Sequence, residues 1–267
     1  MPVSLPDLLA DLRAETDVLT ALLTVATPAN WEAPTPAEGW AVRDQVSHLA
    51  YFDEAAVQAA TEPDRFRESA AELLALGAAF PDRIAERYRH LTPAELSAWL
   101  ATARQNLLDT FTGLDPKARV PWYGPDMSAV SSITARLMET WAHGQDIADT
   151  LGVVRRPTHR LRHIAELGIR TFGFAFALNG LEVPNAPVRV ELAAPDGGVW
   201  TWGPDDAADR VTGSALDFCL AVTQRRHRDD TDLVISGPVA SEWMSIAQAF
   251  AGAPGPGRQP AGKEVAR

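Results

Sequence analysis

Apolar residues recur every three or four positions through most of the first 180 residues, the spacing of helices with one buried face. Leucines between Leu8 and Leu23 form such a stripe behind the cap-like Ser4. Thr92 and the glutamate three residues later match a capping box, and Gly152 is placed to end a helix. The pattern predicts helices from Ser4 to beyond Leu23 and over about residues 41–60, 81–89, 92–111, 131–151 and 158–178.

The hydrophobic period changes to two after Pro184, which predicts strands. Residues 188–192 and 199–202 alternate on either side of a Pro-Asp-Gly-Gly turn and are expected to pair as a hairpin. A helix is predicted at 214–223, a strand at 232–236 and a helix at 239–250. These elements predict a small α+β unit over 185–251, followed by a disordered, Pro- and Gly-rich tail over 252–267.

Composition limits the partners. The 267 residues are 46% hydrophobic, which is ample core material for folded domains. A net charge of -11 argues against nucleic acid, although residues 224–228 form a local basic run. The N-terminus has no basic stretch before an apolar one, and no uncharged segment approaches the roughly 18 residues needed to span a bilayer. We therefore expect a cytoplasmic protein without a membrane partner, as a monomer or homodimer, with its single cysteine, Cys219, buried.

Glu139 and His143 lie four residues apart within an apolar helical segment, which puts a carboxylate and an imidazole on one helix face. Apolar residues surround them, so the helix is expected to be buried, and a buried glutamate needs a cation. Asp146 either orients the His143 imidazole or forms a surface salt bridge. The pair itself is either a two-ligand metal clamp or a surface pair contributing only about 0.2–0.5 kcal/mol.

His48 is the candidate third ligand. Asp44 lies one helical turn before it and Phe52 one turn after it, so the helix offers either a carboxylate or an aromatic wall beside the imidazole. The alternative is a core histidine that is hydrogen-bonded to Asp44 and binds no metal.

The order of these residues resembles a known group of enzymes. Gly-Trp-x-x-x-Asp-x-x-x-His over residues 39–48, followed by Glu-x-x-x-His-Gly-x-Asp over 139–146, resembles the DinB-like metalloenzymes. Within these the chain is most similar to the mycothiol-dependent maleylpyruvate isomerase-like group. The resemblance implies an α+β fold, with a DinB-like helical bundle of four-helix core over 1–180 and a sterol-carrier-like α+β domain over 185–251. It implies Zn²⁺, or another divalent transition metal, held by His48, Glu139 and His143.

The resemblance also implies a chemistry and a small-molecule substrate. The enzyme is expected to be an isomerase or S-transferase that adds a metal-bound thiolate, supplied by mycothiol as cosubstrate, to a small electrophile. Residues 223–225 resemble a Thr-Gly-Arg segment that supplies a catalytic arginine, with glutamine in place of glycine, so Arg225 and Arg226 are the candidates. Trp122, Tyr123 and Met127 are expected to wall the pocket.

Two other function classes remain open at the level of sequence. A thiol-independent hydrolase or cyclase would use the same three ligands with zinc-bound hydroxide. A non-catalytic protein would instead hold an apolar ligand in its second domain.

Overall fold

A computed structural model describes residues 4–255 and 257–261. The chain divides into two compact units, Met1–Arg155 and Arg156–Arg267. The first unit is helical and the second mixes helices with a small sheet, which confirms the predicted α+β fold class. Among the described residues, no helix is both long and apolar enough to cross a bilayer.

The first unit is built on four long helices, α1 (Leu5–Val25), α3 (Val42–Thr61), α6 (Pro93–Thr112) and α7 (Ala129–Leu151). Helices α1 and α3 each pack against α6 and α7. Shorter helices and a two-stranded antiparallel ribbon connect them. In chain order the elements are α1 (Leu5–Val25), α2 (Pro28–Glu32), α3 (Val42–Thr61), α4 (Pro63–Leu74), α5 (Phe80–Tyr88), α6 (Pro93–Thr112), β1 (Arg119–Val120), β2 (Met127–Ser128) and α7 (Ala129–Leu151).

Local sequence explains where the long helices begin and end. The Ser4 hydroxyl accepts the Asp7 N–H at the start of α1, and Thr92 and Glu95 form the predicted capping box of α6. Gly152 ends α7 in the left-handed conformation, φ 66°, that glycine adopts without strain. Each of these caps involves residues within about one helical turn of each other, so the sequence was sufficient to predict these helix ends.

The sequence analysis missed helix α4. Only Phe66 and Ala70 of this helix are buried, and its charged residues face solvent, so the apolar stripe is too narrow to indicate a helix. The predicted helix over 158–178 is in fact two helices, α8 (Leu161–Arg170) and α9 (Phe172–Leu178), which meet at Thr171. The Thr171 hydroxyl donates to the carbonyls of Leu167 and Gly168 at this break.

A buried ionic cluster joins the long helices. Asp53 of α3 accepts from Arg104 Nε of α6 at 2.6 Å and from Arg136 Nε of α7 at 2.9 Å, and all three side chains are buried. Arg104 also donates to the hydroxyls of Thr16 in α1 and Thr140 in α7. One carboxylate therefore links α3, α6 and α7 at a single level of the bundle, and Arg104 extends the link to α1.

The second unit contains a four-stranded sheet built from β3 (Val188–Ala193), β4 (Val199–Trp202), β5 (Asp209–Ser214) and β6 (Val234–Ser236), in the order β4-β3-β5-β6. The predicted hairpin of β3 and β4 is present and antiparallel, with Val190 opposite Trp202. Strand β5, which the sequence analysis missed, pairs parallel with β3 and antiparallel with β6. Helix α10 (Ala215–Val222) lies between β5 and β6 in the sequence, and α11 (Pro238–Ile246) follows β6.

The structural division does not fall at the predicted boundary near residue 180. Helix α8 packs against α10, and α9 packs against α11, so both belong to the second unit. Helices α8 and α10 approach closely because Gly168 of α8 has no side chain: a Cβ there would lie 2.8 Å from the Val222 side chain. Cys219 is buried in α10, as predicted, and burial raises the pKa of its thiol.

The predicted disordered tail is only partly within the described residues. Residues 256 and 262–267 lie outside them. In the described part, Arg258 donates to the carbonyl of Arg225, and the Ala261 N–H donates to the Asp230 carboxylate. These hydrogen bonds attach the described residues of the tail to the second unit.

We expect Asp53→Asn to lower the free energy of unfolding by about 3–5 kcal/mol, because it leaves two buried guanidinium groups without their shared counter-charge. Asp64→Asn is the matched control, since it removes the same charge from an exposed pair with Arg67 and should cost no more than about 1 kcal/mol. Urea unfolding followed by circular dichroism measures both. Equal losses in the two variants would show that the cluster does not hold the helices together.

Candidate metal centre

Three of the residues singled out in the sequence converge in the first unit. His48 is on α3, and Glu139 and His143 are on α7. Glu139 Oε2 lies 3.0 Å from His143 Nε2 and 3.7 Å from His48 Nε2. The three donor atoms all lie within 4.8 Å of one another, and the side chains are 9–20% exposed, so the cluster is largely buried.

The packing of α3 on α7 brings His48 to the other two residues. Arg136 lies three residues before Glu139, and besides its bond to Asp53 it donates to the carbonyl of Leu49 at 3.2 Å. Leu49 directly follows His48. The bonds of Arg136 to Asp53 and to the Leu49 carbonyl therefore set the position of His48 along the helix axis relative to Glu139.

A buried glutamine, not an aspartate, orients the His143 ring. His143 Nδ1 donates to the side-chain oxygen of Gln45 on α3. The sequence analysis offered Asp146, which is buried in α7, either for this role or for a surface salt bridge, and did not single out Gln45. The signal was present in the sequence, since Gln45 lies three residues before His48 on the same helix face.

Asp44 also has a different role from the one predicted. Its carboxylate accepts the Ala41 N–H at 2.8 Å, which caps the start of α3, and it pairs with Arg89 through two bonds of 2.9 and 3.1 Å. Asp44 therefore stabilises the beginning of the ligand-bearing helix and does not orient His48.

Comparison with known proteins places this arrangement in a family. Residues 12–148 match the family model described as the mycothiol maleylpyruvate isomerase N-terminal domain, and this range holds all three clustered residues. The chain belongs to the mycothiol maleylpyruvate isomerase family. A second model, described as wyosine base formation, matches residues 184–235 in the second unit.

Relatives of this family member extend over both units. Two uncharacterized proteins of Mycobacterium tuberculosis, MT0041 of strain CDC 1551 and Rv0036c of strain H37Rv, are each 48% identical over 249 residues, 93% of this chain and 97% of theirs. A crystal structure of the mycothiol-dependent maleylpyruvate isomerase and one of its histidine-to-alanine mutant have TM-scores of 0.60 and 0.59. Each is 16% identical and covers 88% of this chain and 97% of its own, so the likeness shows a shared fold.

The donor set of this family member suits a divalent transition metal. Zinc binds imidazole nitrogen and carboxylate oxygen at about 2.0–2.2 Å, which puts tetrahedral ligands about 3.3 Å apart. The separations of 3.0 and 3.7 Å from Glu139 Oε2 lie on either side of that value. Two imidazoles and one carboxylate leave a fourth position for a substrate or cosubstrate atom.

The hydrogen bond to Gln45 strengthens this fit. Since His143 Nδ1 carries the donated proton, the lone pair of its Nε2 faces Glu139 Oε2 at 3.0 Å. Two lone pairs at this distance repel each other unless a cation lies between them, either a proton or a metal ion. The same carboxylate oxygen is also the one nearest to His48 Nε2.

The protonation states also suit a metal. Burial, together with the neighbouring His143, lowers the pKa of His48 to about 3, so this imidazole is neutral at neutral pH. Burial by itself would raise the pKa of Glu139, but the imidazoles of His143 and His48 outweigh it and hold the pKa well below the usual range. A neutral imidazole and an ionised carboxylate are the forms that coordinate a metal.

Aromatic rings enclose the two imidazoles. The ring centre of His48 lies 4.6 Å from that of Phe52 and 5.2 Å from that of Trp40, and Trp40 stacks against His143 at 5.9 Å. Of the two alternatives that the sequence offered beside His48, a carboxylate or an aromatic ring, the structure has the ring of Phe52. The stacking of Trp40 on His143 was not predicted. Among the described residues His48 Nδ1 has no hydrogen-bond partner, so ring packing orients this imidazole.

The predicted pocket residues lie further from the cluster. Trp122 and Tyr123 contact Phe52, with ring centres at 6.2 and 5.5 Å, and support the wall from behind. Burial and the neighbouring Tyr51 raise the pKa of Tyr123. Met127 lies in β2, opposite Val120.

Arg225 and Arg226 lie in the second unit, just after α10. Gln224 adopts a left-handed conformation, φ 57°, and the Arg225 N–H donates to the carbonyl of Leu220 at 2.8 Å to close the helix end. Glycine adopts this conformation most readily, so the backbone here is compatible with the glycine of the Thr-Gly-Arg segment that residues 223–225 resemble. The catalytic role of either arginine stays a prediction.

We expect His48 to make the stability of the metal-free protein depend on pH. In the unfolded chain its imidazole takes up a proton near pH 6.5, but in the fold its pKa is about 3. Between these values the unfolded state holds more protons, so the free energy of unfolding falls as the pH is lowered from about 6.5 towards 3. His48→Gln should reduce this slope by up to about 1.4 kcal/mol per pH unit, measured by urea unfolding of chelator-treated protein.

His90→Gln makes the same substitution at an exposed position and should leave the slope as it is in the wild type. A slope unchanged in His48→Gln would mean that His48 is not held neutral by the fold.

Proposed function

We propose that this protein is a metal-dependent enzyme that uses a low-molecular-weight thiol, mycothiol being the candidate, to isomerise a small electrophile or to transfer the thiol to it. The observation that carries the proposal is the convergence of His48, Glu139 and His143, whose donor atoms all lie within 4.8 Å of one another. Family membership supports the choice of thiol and reaction class. Zinc is the proposed metal because imidazole and carboxylate donors at tetrahedral spacing suit it.

Each group of residues has a part in this chemistry. His48, Glu139 and His143 would hold the metal, which when bound would lower the pKa of a coordinated thiol and keep it as the reactive thiolate. Trp40 and Phe52 exclude water from one side of the cluster, which strengthens electrostatic interactions there.

In an isomerase reaction the thiolate would add to one carbon of a conjugated cis double bond, moving the electron pair onto a carbonyl oxygen as an enolate. The former double bond then rotates, and expulsion of the same thiolate restores the double bond in the trans form. Atoms and electrons balance without a further reactant. An S-transferase would instead protonate the enolate and release the conjugate.

We expect the purified protein to contain close to one divalent metal ion per chain, and each of His48→Ala, Glu139→Ala and His143→Ala to reduce that content below about a tenth. His90→Ala, at an exposed histidine, is the matched control and should keep the full content. Elemental analysis measures all five proteins. Full metal content in the three ligand variants would overturn the site.

The thiol is tested separately on cobalt-substituted protein. Mycothiol binding at the metal should produce a sulfur-to-cobalt charge-transfer absorption that His143→Ala lacks. Binding of metal without any such absorption would favour a thiol-independent hydrolase or cyclase over the proposed chemistry.

We expect replacement of the catalytic arginine, Arg225 or Arg226, by alanine to lower turnover of maleylpyruvate with mycothiol by roughly 10² or more and to leave the metal content intact. The reason is that a guanidinium would stabilise the negative charge that grows on the substrate during addition. Lysine should restore activity only in part, because it lacks the planar fork that holds a carboxylate through two bonds.

Arg228→Ala is the matched control from the same basic run, since the Arg228 side chain donates to the carbonyl of Ser241. Unchanged turnover in an Arg225→Ala/Arg226→Ala double variant would show that neither arginine is catalytic.

A further inference from the structure

The side-chain amide of Gln45 has a single orientation that its surroundings determine. Gln45 is fully buried on α3, and its nitrogen lies 2.8 Å from the Thr35 hydroxyl oxygen. The Thr35 hydroxyl has one proton, and it donates that proton to the carbonyl of Trp40 at 2.8 Å. Thr35 can therefore only accept from Gln45, which places the NH₂ end of the amide at Thr35 and the oxygen at the opposite end.

The oxygen end of Gln45 then selects the tautomer of His143. A side-chain carbonyl oxygen accepts hydrogen bonds and cannot donate them. His143 Nδ1 must therefore be the protonated nitrogen, which leaves the Nε2 lone pair directed at Glu139 and His48. The other tautomer would place two acceptors against each other at Gln45, which is fully buried.

The loop before α3 anchors this chain of hydrogen bonds. The Thr35 N–H donates to the same Trp40 carbonyl at 2.7 Å, so the backbone holds the hydroxyl and its acceptor together. The Trp40 indole in turn stacks on His143 and donates through Nε1 to Asp82 at 2.7 Å. Trp40 therefore contacts both ends of the chain of hydrogen bonds. Its carbonyl accepts from Thr35, and its indole packs on the His143 ring that Gln45 orients.

We infer that Gln45 is a positioning residue for the metal: through the fixed chain Trp40, Thr35, Gln45, it holds His143 in the tautomer and ring orientation that present Nε2 for coordination. The inference deepens the proposed function and rests on the metal site proposed there. Hydrogen-bond partners of metal-bound histidines typically change metal affinity by 10–100-fold.

The test measures zinc affinity by competition with a chromophoric chelator. Gln45→Leu keeps the approximate size and burial of the side chain but has no acceptor, and we expect its zinc dissociation constant to rise roughly 10–100-fold. Gln45→Glu restores an acceptor and should return the affinity to within about tenfold of the wild type. Gln145→Leu is the matched control on α7, where the amide donates to Asp149, and should leave the affinity unchanged.

A second readout separates positioning from a general structural defect. In zinc-loaded wild-type protein, ¹⁵N NMR of the histidine rings should find His143 protonated at Nδ1, with a slowly exchanging proton bonded to Gln45. In Gln45→Leu this proton should exchange faster. Metal-free Gln45→Leu should keep the helical circular dichroism of the wild type.

The outcomes distinguish this inference from the proposed function. If the wild type binds no zinc, the metal site itself fails. If the wild type binds zinc and Gln45→Leu binds it equally well, only the positioning role of Gln45 is overturned. Equal weakening in Gln45→Leu and Gln45→Glu would likewise overturn it, because the acceptor would then not be what matters.

Discussion

The candidate site depends on how α3 and α7 are held against each other, and the Asp53 carboxylate is the group that holds them. It pairs with Arg136 of α7 and Arg104 of α6, all buried. Burying three charges is costly, so the cluster adds little net stability compared with the leucine stripes, each buried leucine contributing about 1.5–3 kcal/mol. The cluster also bears on register, because sliding one helix along another would separate the carboxylate from at least one of its two guanidinium partners.

The register matters because the site is shared between two helices. One stripe of α3 carries Gln45, His48 and Phe52, and one stripe of α7 carries Glu139 and His143. A shift of one turn, about 5.4 Å, would separate His48 from Glu139 and Gln45 from His143 together. The hydrogen bond from Arg136 to the Leu49 carbonyl, next to His48, would be lost in such a shift.

Within the cluster, most interactions prepare a negative carboxylate and the lone pairs of two imidazoles for one cation. Burial keeps the pKa of His48 low, the imidazoles keep that of Glu139 low, and Gln45 directs a lone pair of His143 inward. Trp40 and Phe52 close one side without supplying a competing ligand. The alternative of a core histidine hydrogen-bonded to Asp44 is not what the structure shows, since Asp44 pairs with Arg89 instead.

The sequence by itself determined the features that depend on residues close together in the chain. These are the long helices, the capping box at Thr92, the hairpin after Pro184, and the placement of Glu139 and His143 on one helix face. It also carried the family pattern. Tertiary structure decided which residues meet across helices: His48 with Glu139, Gln45 in place of Asp146, and α8 and α9 with the second unit. The physical reason is range, because helical periodicity and caps act locally, whereas a hydrogen bond between residues about 100 apart in sequence depends on how whole helices pack.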